Sequence, residues 1–110
     1  MAISLKEQEE ALNIIVNFAE RLCKDIPLEG KGSNLELSGR GKAELNGILN
    51  KLVNLGIQGA AKYQDTQYKG VLQKDLAPLL ADNMQCRLEV FRMLQDRLLP
   101  PQQIRLEMTT

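Results

Sequence analysis

The first 27 residues constrain the fold most, because they carry the start signal, the apolar spacing and the stop signal of one long helix. Ser4 and Glu7 stand at the spacing of a capping box, in which each side chain accepts a hydrogen bond from the free backbone N–H of the other residue. Pro27 cannot continue a helix. We therefore predict a helix from Ser4 to Asp25. The apolar residues that recur along it at helical spacing are Leu5, Leu12, Ile15, Val16, Ala19, Leu22, Cys23 and Ile26.

The apolar face of this helix is wider than one packing neighbour covers, because Ile14 and Phe18 lie beside the main stripe. Two interpretations follow. Either the helix packs between two elements of the same fold, or Ile14 and Phe18 contact a second copy of the chain.

A second helix is predicted to end near Asn54. Gly56 suits the left-handed position that follows many helices, and Ile57 would then pack back on Leu52. The segment Gly59–Ala61 fits either a short helical turn or a close approach of two backbones. The apolar stripe of helix two is Leu45, Ile48, Leu49, Leu52 and Val53.

Pro78 decides the prediction for the third helix. A start at Asp75 would put Pro78 in the first turn, where its missing N–H costs no intrahelical hydrogen bond. A start near Tyr68 would put Pro78 inside the helix. We predict the start at Asp75, and we expect the polar stretch 63–70 to form turns.

The last helix is predicted to begin at a cap formed by Asp82 or Asn83 and to end at Pro100. Cys86 and Val90 flank its predicted inward face. That face consists of Met84, Leu88, Phe91, Leu94 and Leu98.

The segment from Pro27 to Lys42 is the least helical part of the chain. Alternation at Leu35 and Leu37 predicts a short strand or an extended stretch. Residues 100–110 form a tail that is either disordered or adds a strand beside Leu35 and Leu37. The apolar residues that alternate along the tail are Ile104, Leu106 and Met108.

These patterns predict a mainly α fold. We expect a small bundle of about four helices, with the Gly-rich extended segment between helices one and two. A length of 110 residues suits a single domain. We assign residues 1–99 to that helical domain and 100–110 to the tail.

The composition removes most familiar active-site chemistry. The chain has no histidine, so it cannot form a Ser-His-Asp triad, a Cys-His pair or a histidine zinc motif. Its two cysteines are too few for a Cys-only zinc site. The acidic residues near the predicted helix ends each have a structural explanation in capping, helix-dipole matching or solvation, and they are Glu7, Glu9, Glu10, Asp75 and Asp82. We therefore predict no catalytic residues, no cofactor, no metal site and no enzymatic activity.

Charge and cysteine content limit the partners and the compartment. The 14 basic residues equal the 14 acidic ones, whereas nucleic-acid-binding proteins usually carry a basic excess, so we expect no nucleic acid. The first residues carry acids and no apolar stretch, so we expect no signal peptide. No run of apolar residues is long enough to cross a membrane, and we expect a cytoplasmic protein. Cys23 and Cys86 are then predicted to be buried reduced thiols. In a domain cut from a secreted or membrane-anchored protein, they could instead form a disulfide.

The stretch Ser38–Lys42 raises the question of a phosphate site. It fails the P-loop pattern, because Gly41-Lys42 is followed by alanine and the required first glycine is missing. Arg40, Lys42 and free N–H groups at a helix start could still contact an anion. Glu36 and Glu44 offset that charge.

We interpret the chain as a non-enzymatic helical protein–protein interaction module, an adaptor, assembly or inhibitor protein of bacterial or phage-like compactness. Its partner is another protein or a second copy of itself. The alternative is a sensory or small-ligand-binding domain, extracytoplasmic in its parent protein, which closes the Gly-rich loop and the Tyr63–Tyr68 segment over a ligand. The predicted partner contacts are Ile14, Phe18, Tyr68 and Met93.

Overall fold

The fold is taken from a computed structural model, which describes residues 4–30, 34–81 and 84–99. Within these ranges the chain forms five helices and one two-stranded sheet, so the mainly α prediction is confirmed. In chain order the elements are α1 (Leu5–Asp25), β1 (Leu28–Glu29), β2 (Glu36–Leu37), α2 (Gly39–Asn54), α3 (Gln58–Lys62), α4 (Thr66–Leu80) and α5 (Cys86–Leu98).

Helix α1 begins as the capping box predicts. The backbone N–H of Glu7 donates to Ser4 Oγ at 3.1 Å, and the backbone N–H of Ser4 donates to Glu7 Oε1 at 3.0 Å. The helix ends at Asp25, and Ile26 is already extended ahead of Pro27. Both predicted boundaries are confirmed.

The core is aliphatic and α1 lies at its centre, packed against α5 on one side and α2 on the other. This arrangement explains the wide apolar face of α1 by two neighbours within one chain. Apart from Phe18, the largest fully buried side chains are branched and aliphatic. On the three helices they are Ile15, Phe18 and Leu22 of α1, Leu45, Leu49 and Leu52 of α2, and Leu94 and Leu98 of α5.

The predicted strand exists, and its partner strand directly follows α1. Leu28 pairs with Leu37 and Glu29 with Glu36 in antiparallel register. The 100–110 tail, with Ile104, Leu106 and Met108, lies outside the described residues.

Helix α2 begins at Gly39, so its first turn lies inside the segment Pro27–Lys42 that we expected to be the least helical. Ser38 is the N-cap, and its Oγ accepts a hydrogen bond from Gly41 N–H at 3.1 Å. A Cβ on Gly41 would lie 3.2 Å from Ile26 Cγ2, which is tighter than ordinary van der Waals contact. Gly41 therefore lets the first turn of α2 approach the end of α1.

The end of α2 is the predicted left-handed glycine motif. Gly56 has φ of 90°. Its N–H donates to Val53 O at 2.9 Å, and the N–H of Ile57 donates to Leu52 O at 3.0 Å. Ile57 is buried in the core. Both readings of the next segment hold, since Gly59 lies in the short α3 and a Cβ there would overlap the Leu98 carbonyl.

The predicted start of the third helix at Asp75 is wrong. Helix α4 begins at Thr66, and the carboxylate of its N-cap, Asp65, accepts a hydrogen bond from Gln67 N–H at 2.8 Å. Pro78 lies in the last turn, where only one intrahelical hydrogen bond is lost before the helix ends. The expected turns are therefore confined to residues 63–65.

Asp75 instead joins α4 to α5. Its Oδ2 accepts a hydrogen bond from Arg97 Nη2 at 2.9 Å. This hydrogen bond raises the pKa of the Arg97 guanidinium above its ordinary value.

The predicted inward face of the last helix is rotated from the observed one. The buried residues of α5 are Cys86, Val90, Leu94 and Leu98, whereas Met84 and Leu88 are exposed. Gln85 is the N-cap and makes no side-chain capping bond. The predicted caps, Asp82 and Asn83, lie outside the described residues.

Cys23 and Cys86 form a disulfide that joins α1 to α5, with their Cα atoms 5.9 Å apart. The expectation of two reduced thiols is therefore wrong, and the alternative pairing is the observed one. The bond connects positions 63 residues apart in the sequence. A cross-link over such a long loop lowers the entropy of the unfolded chain.

Reduction of this disulfide should lower the free energy of unfolding. Chain entropy alone predicts a loss of about 4 kcal/mol for a loop of this length, and measured losses commonly fall near 2–4 kcal/mol. Urea unfolding of the same chain with and without a dithiol reductant measures the difference with all side chains unchanged. Equal unfolding midpoints in the two conditions would contradict this expectation.

Candidate functional site

An apolar groove lies between α1 and α5 and has a volume of about 440 Å³. Helix α1 contributes Val16 and Ala19, while α5 and the turn before it contribute Met84, Leu88 and Phe91. We call the surface formed by these five side chains the α1–α5 groove.

Three of the five groove side chains are unusually accessible for apolar residues. Val16 is 37% exposed, Leu88 44% and Met84 90%, while Ala19 is fully buried and forms the floor. In the part of the chain that the structure describes, six large apolar or aromatic side chains are exposed, and three of them are these groove residues. Single exposed apolar residues are ordinary, whereas contiguous exposed apolar patches are typical of interaction sites.

Polar side chains form the edge of the groove. Gln85 and Arg87 belong to its lining. Arg87 Nη1 lies 3.4 Å from Glu20 Oε2, so this ion pair crosses from α5 to α1. Both side chains are at least half exposed, so the pair adds little stability. It places one positive and one negative group at the rim.

The disulfide joins the two helices that form the walls of the groove. Cys23 is one helical turn beyond Ala19, and Cys86 stands in the sequence between Gln85 and Arg87. The bond therefore fixes the two walls relative to each other. A preformed groove binds a partner with a smaller loss of conformational entropy than a mobile one.

The four predicted partner contacts do not form one surface. Phe18 is fully buried in the core, so its assignment as a partner contact is wrong. The second neighbour of α1 explains its position. Ile14 and Met93 are half-buried and pack against the core.

Tyr68 is 46% exposed and lies on α4. Its ring meets that of Tyr63 edge-on, with centroids 6.5 Å apart, and Lys62 Nζ lies 4.8 Å from the Tyr68 centroid. This aromatic cluster does not contribute to the lining of the groove.

The two predicted anion contacts each face a carboxylate. Lys42 Nζ lies 3.3 Å from Glu36 Oε1, and Arg40 Nε lies 3.5 Å from Glu44 Oε2. Arg21 pairs with the same Glu44 carboxylate at 2.6 Å. These carboxylates balance the local charge, so the anion site stays a prediction without added support.

Two further properties bear on the class of site. Among the described residues, no group of three or more histidine, cysteine, aspartate or glutamate side chains could hold a metal ion. Within those same ranges, the helices lack the combined length and apolar character that crossing a bilayer requires.

The sequence pattern placed Val16, Met84 and Leu88 in the core, and that is why it missed the groove. In α1 a stripe centred on Ile15 that includes Ala11 and Phe18 would have left Val16 at its edge. In α5 the pairing of Cys86 with Cys23 turns Leu88 outward. Knowledge of that pairing was the missing signal.

Comparison of the chain with family models, with curated proteins and with solved structures gives no match. The case for a function therefore comes from the chain's own geometry.

Two alanine substitutions on α1 should separate core from groove. Phe18→Ala empties a fully buried site and should lower the free energy of unfolding by about 3–5 kcal/mol. Val16→Ala removes a partly exposed side chain and gains helix propensity, so its effect should stay within about 0.5 kcal/mol. Denaturant unfolding of both variants measures the contrast. Similar losses for the two would contradict the placement of Val16 at the surface.

Proposed function

We propose that this chain is a non-enzymatic protein-interaction module of the adaptor, assembly or inhibitor kind, and that the α1–α5 groove is its binding surface. One observation carries the proposal. Half of the exposed large apolar side chains among the described residues lie in one groove whose walls are joined by a disulfide.

The energetics of burial support a protein partner. Full burial of a leucine, valine or methionine side chain that starts exposed contributes roughly 1.5–3 kcal/mol. Met84 is 90% exposed and Val16 and Leu88 are less than half exposed, so covering the three would supply part of the energy of a modest complex. The Glu20–Arg87 pair at the rim matches the usual anatomy of interfaces, in which polar residues surround an apolar centre.

The disulfide favours an oxidising compartment for this module. Thiols are kept reduced in most cytosols, whereas disulfides persist in secreted, periplasmic and cell-surface proteins. We therefore propose an extracytoplasmic site of action in place of the cytoplasmic one expected from the sequence.

A small apolar ligand is the second candidate occupant of the groove. The volume of about 440 Å³ falls within the range of about 300–1,000 Å³ that is typical of ligand pockets. The two candidates differ in what becomes attached to the groove when it is cross-linked.

A photoreactive benzoylphenylalanine at position 88 tests the proposal in an extract of the native host. Position 71 provides a matched control, because Val71 is 49% exposed on α4 and Leu88 is 44% exposed on α5. We expect irradiation to attach a discrete protein at position 88 and none at position 71.

The mass of the adduct distinguishes the outcomes. A small added mass at position 88 would support the ligand-binding alternative. The absence of any adduct, or the same adducts at both positions, would contradict a binding role for the groove.

A further inference from the structure

We propose that the occupant of the α1–α5 groove is a second copy of this chain, with Met84 of each copy inserted into the groove of the other. This inference rests on the proposed function, since it takes the groove to be a protein-binding surface. It names the partner that the surface fits.

The groove and a projecting side chain occur on the same surface. Met84 is 90% exposed at the edge of a cavity of about 440 Å³, which exceeds the volume of a methionine side chain. A two-fold interface uses one patch twice, so the patch must contain both the projecting group and the cavity that receives it. The turn before α5 provides the projecting group, Met84, and the walls formed by α1 and α5 provide the cavity that receives it.

Methionine is suited to this role. Its side chain is unbranched and polarisable, so it adapts to irregular apolar cavities and packs well against aromatic rings. In the groove it would meet Val16, Leu88 and the ring of Phe91, which are all apolar.

The charges of the chain allow two copies to approach. Acidic and basic residues are equal in number, at 14 each, so two copies carry no net repulsion. At the rim, Glu20 and Arg87 have opposite charges. Two rims related by a two-fold axis can therefore meet with carboxylate facing guanidinium.

The size of the patch sets the expected affinity. Five side chains form a smaller surface than the roughly 800 Å² per partner of a standard stable interface. We therefore expect a weak, reversible dimer with a dissociation constant on the order of 10–100 μM.

Sedimentation equilibrium of the oxidised chain from about 1 μM to about 1 mM tests the inference, since this range brackets the expected dissociation constant. The average mass should rise from 12.3 kDa towards twice that value. Met84→Asp should remain monomeric over the whole range, because dimerisation would bury its charge. Val71→Asp, which changes an exposed residue on α4, should dimerise like the unchanged chain.

Misfolding would not explain a loss of dimerisation in Met84→Asp, because Met84 is almost fully exposed and its substitution leaves the core intact. Equal unfolding midpoints for the two aspartate variants serve as the check. A mass that stays at 12.3 kDa throughout, or a Met84→Asp variant that dimerises like the unchanged chain, would overturn the inference.

This outcome is separable from that of the proposed function. If the chain is monomeric but position 88 still cross-links to a different protein, only the inference that the partner is a second copy would be overturned. A monomeric chain with no adduct at position 88 would overturn both. Irradiation of the purified chain carrying the probe at position 88 should give a covalent dimer.

Discussion

The packing of α5 against α1, joined by the Cys23–Cys86 disulfide, is the contact on which the rest of the structure depends. Cys86 is the first residue of α5, so the bond sets the rotation of that helix about its own axis. With Cys86 turned towards α1, the residues four and eight positions later, Val90 and Leu94, enter the core. The same rotation leaves Leu88 at the surface.

The α1–α5 groove is a consequence of how the other helices are placed. Helix α2 packs on a different side of α1, where Arg21 pairs with Glu44. Helix α4 packs against α5, where Asp75 pairs with Arg97. The α1–α5 seam near Val16 therefore keeps its apolar groove open. We infer that an interaction partner covers it.

The sequence predicted the features that depend on local chemistry. The capping box, the left-handed Gly56 and the short strand at Leu37 each arise from a few neighbouring residues. The start of α4 was missed because Pro78 was expected to lie in the first turn of a helix that begins at Asp75, whereas it lies in the last turn of a helix capped by Asp65. Local spacing contained no information that decided between the two starts considered, at Asp75 and near Tyr68.

The candidate site was missed for a different physical reason. Whether a residue at the edge of an apolar stripe is buried depends on the rotation of the helix, and here that rotation depends on a bond between residues 63 positions apart. Val16 and Leu88 were therefore assigned to the core, and Phe18 to the surface, although the helices themselves were recognised. The ends of α1 could be predicted from neighbouring residues, whereas the edge of α1 that is exposed could not.

The dependence of backbone amide chemical shifts on protein concentration tests our central proposal, that two copies of the chain bind each other through the α1–α5 groove, most directly. In the oxidised chain, our account predicts shifts confined to the neighbourhood of Val16, Met84 and Leu88, with Tyr68 and Val71 unchanged. Shifts centred on Tyr68 and Val71, or no shifts at any concentration, would contradict it.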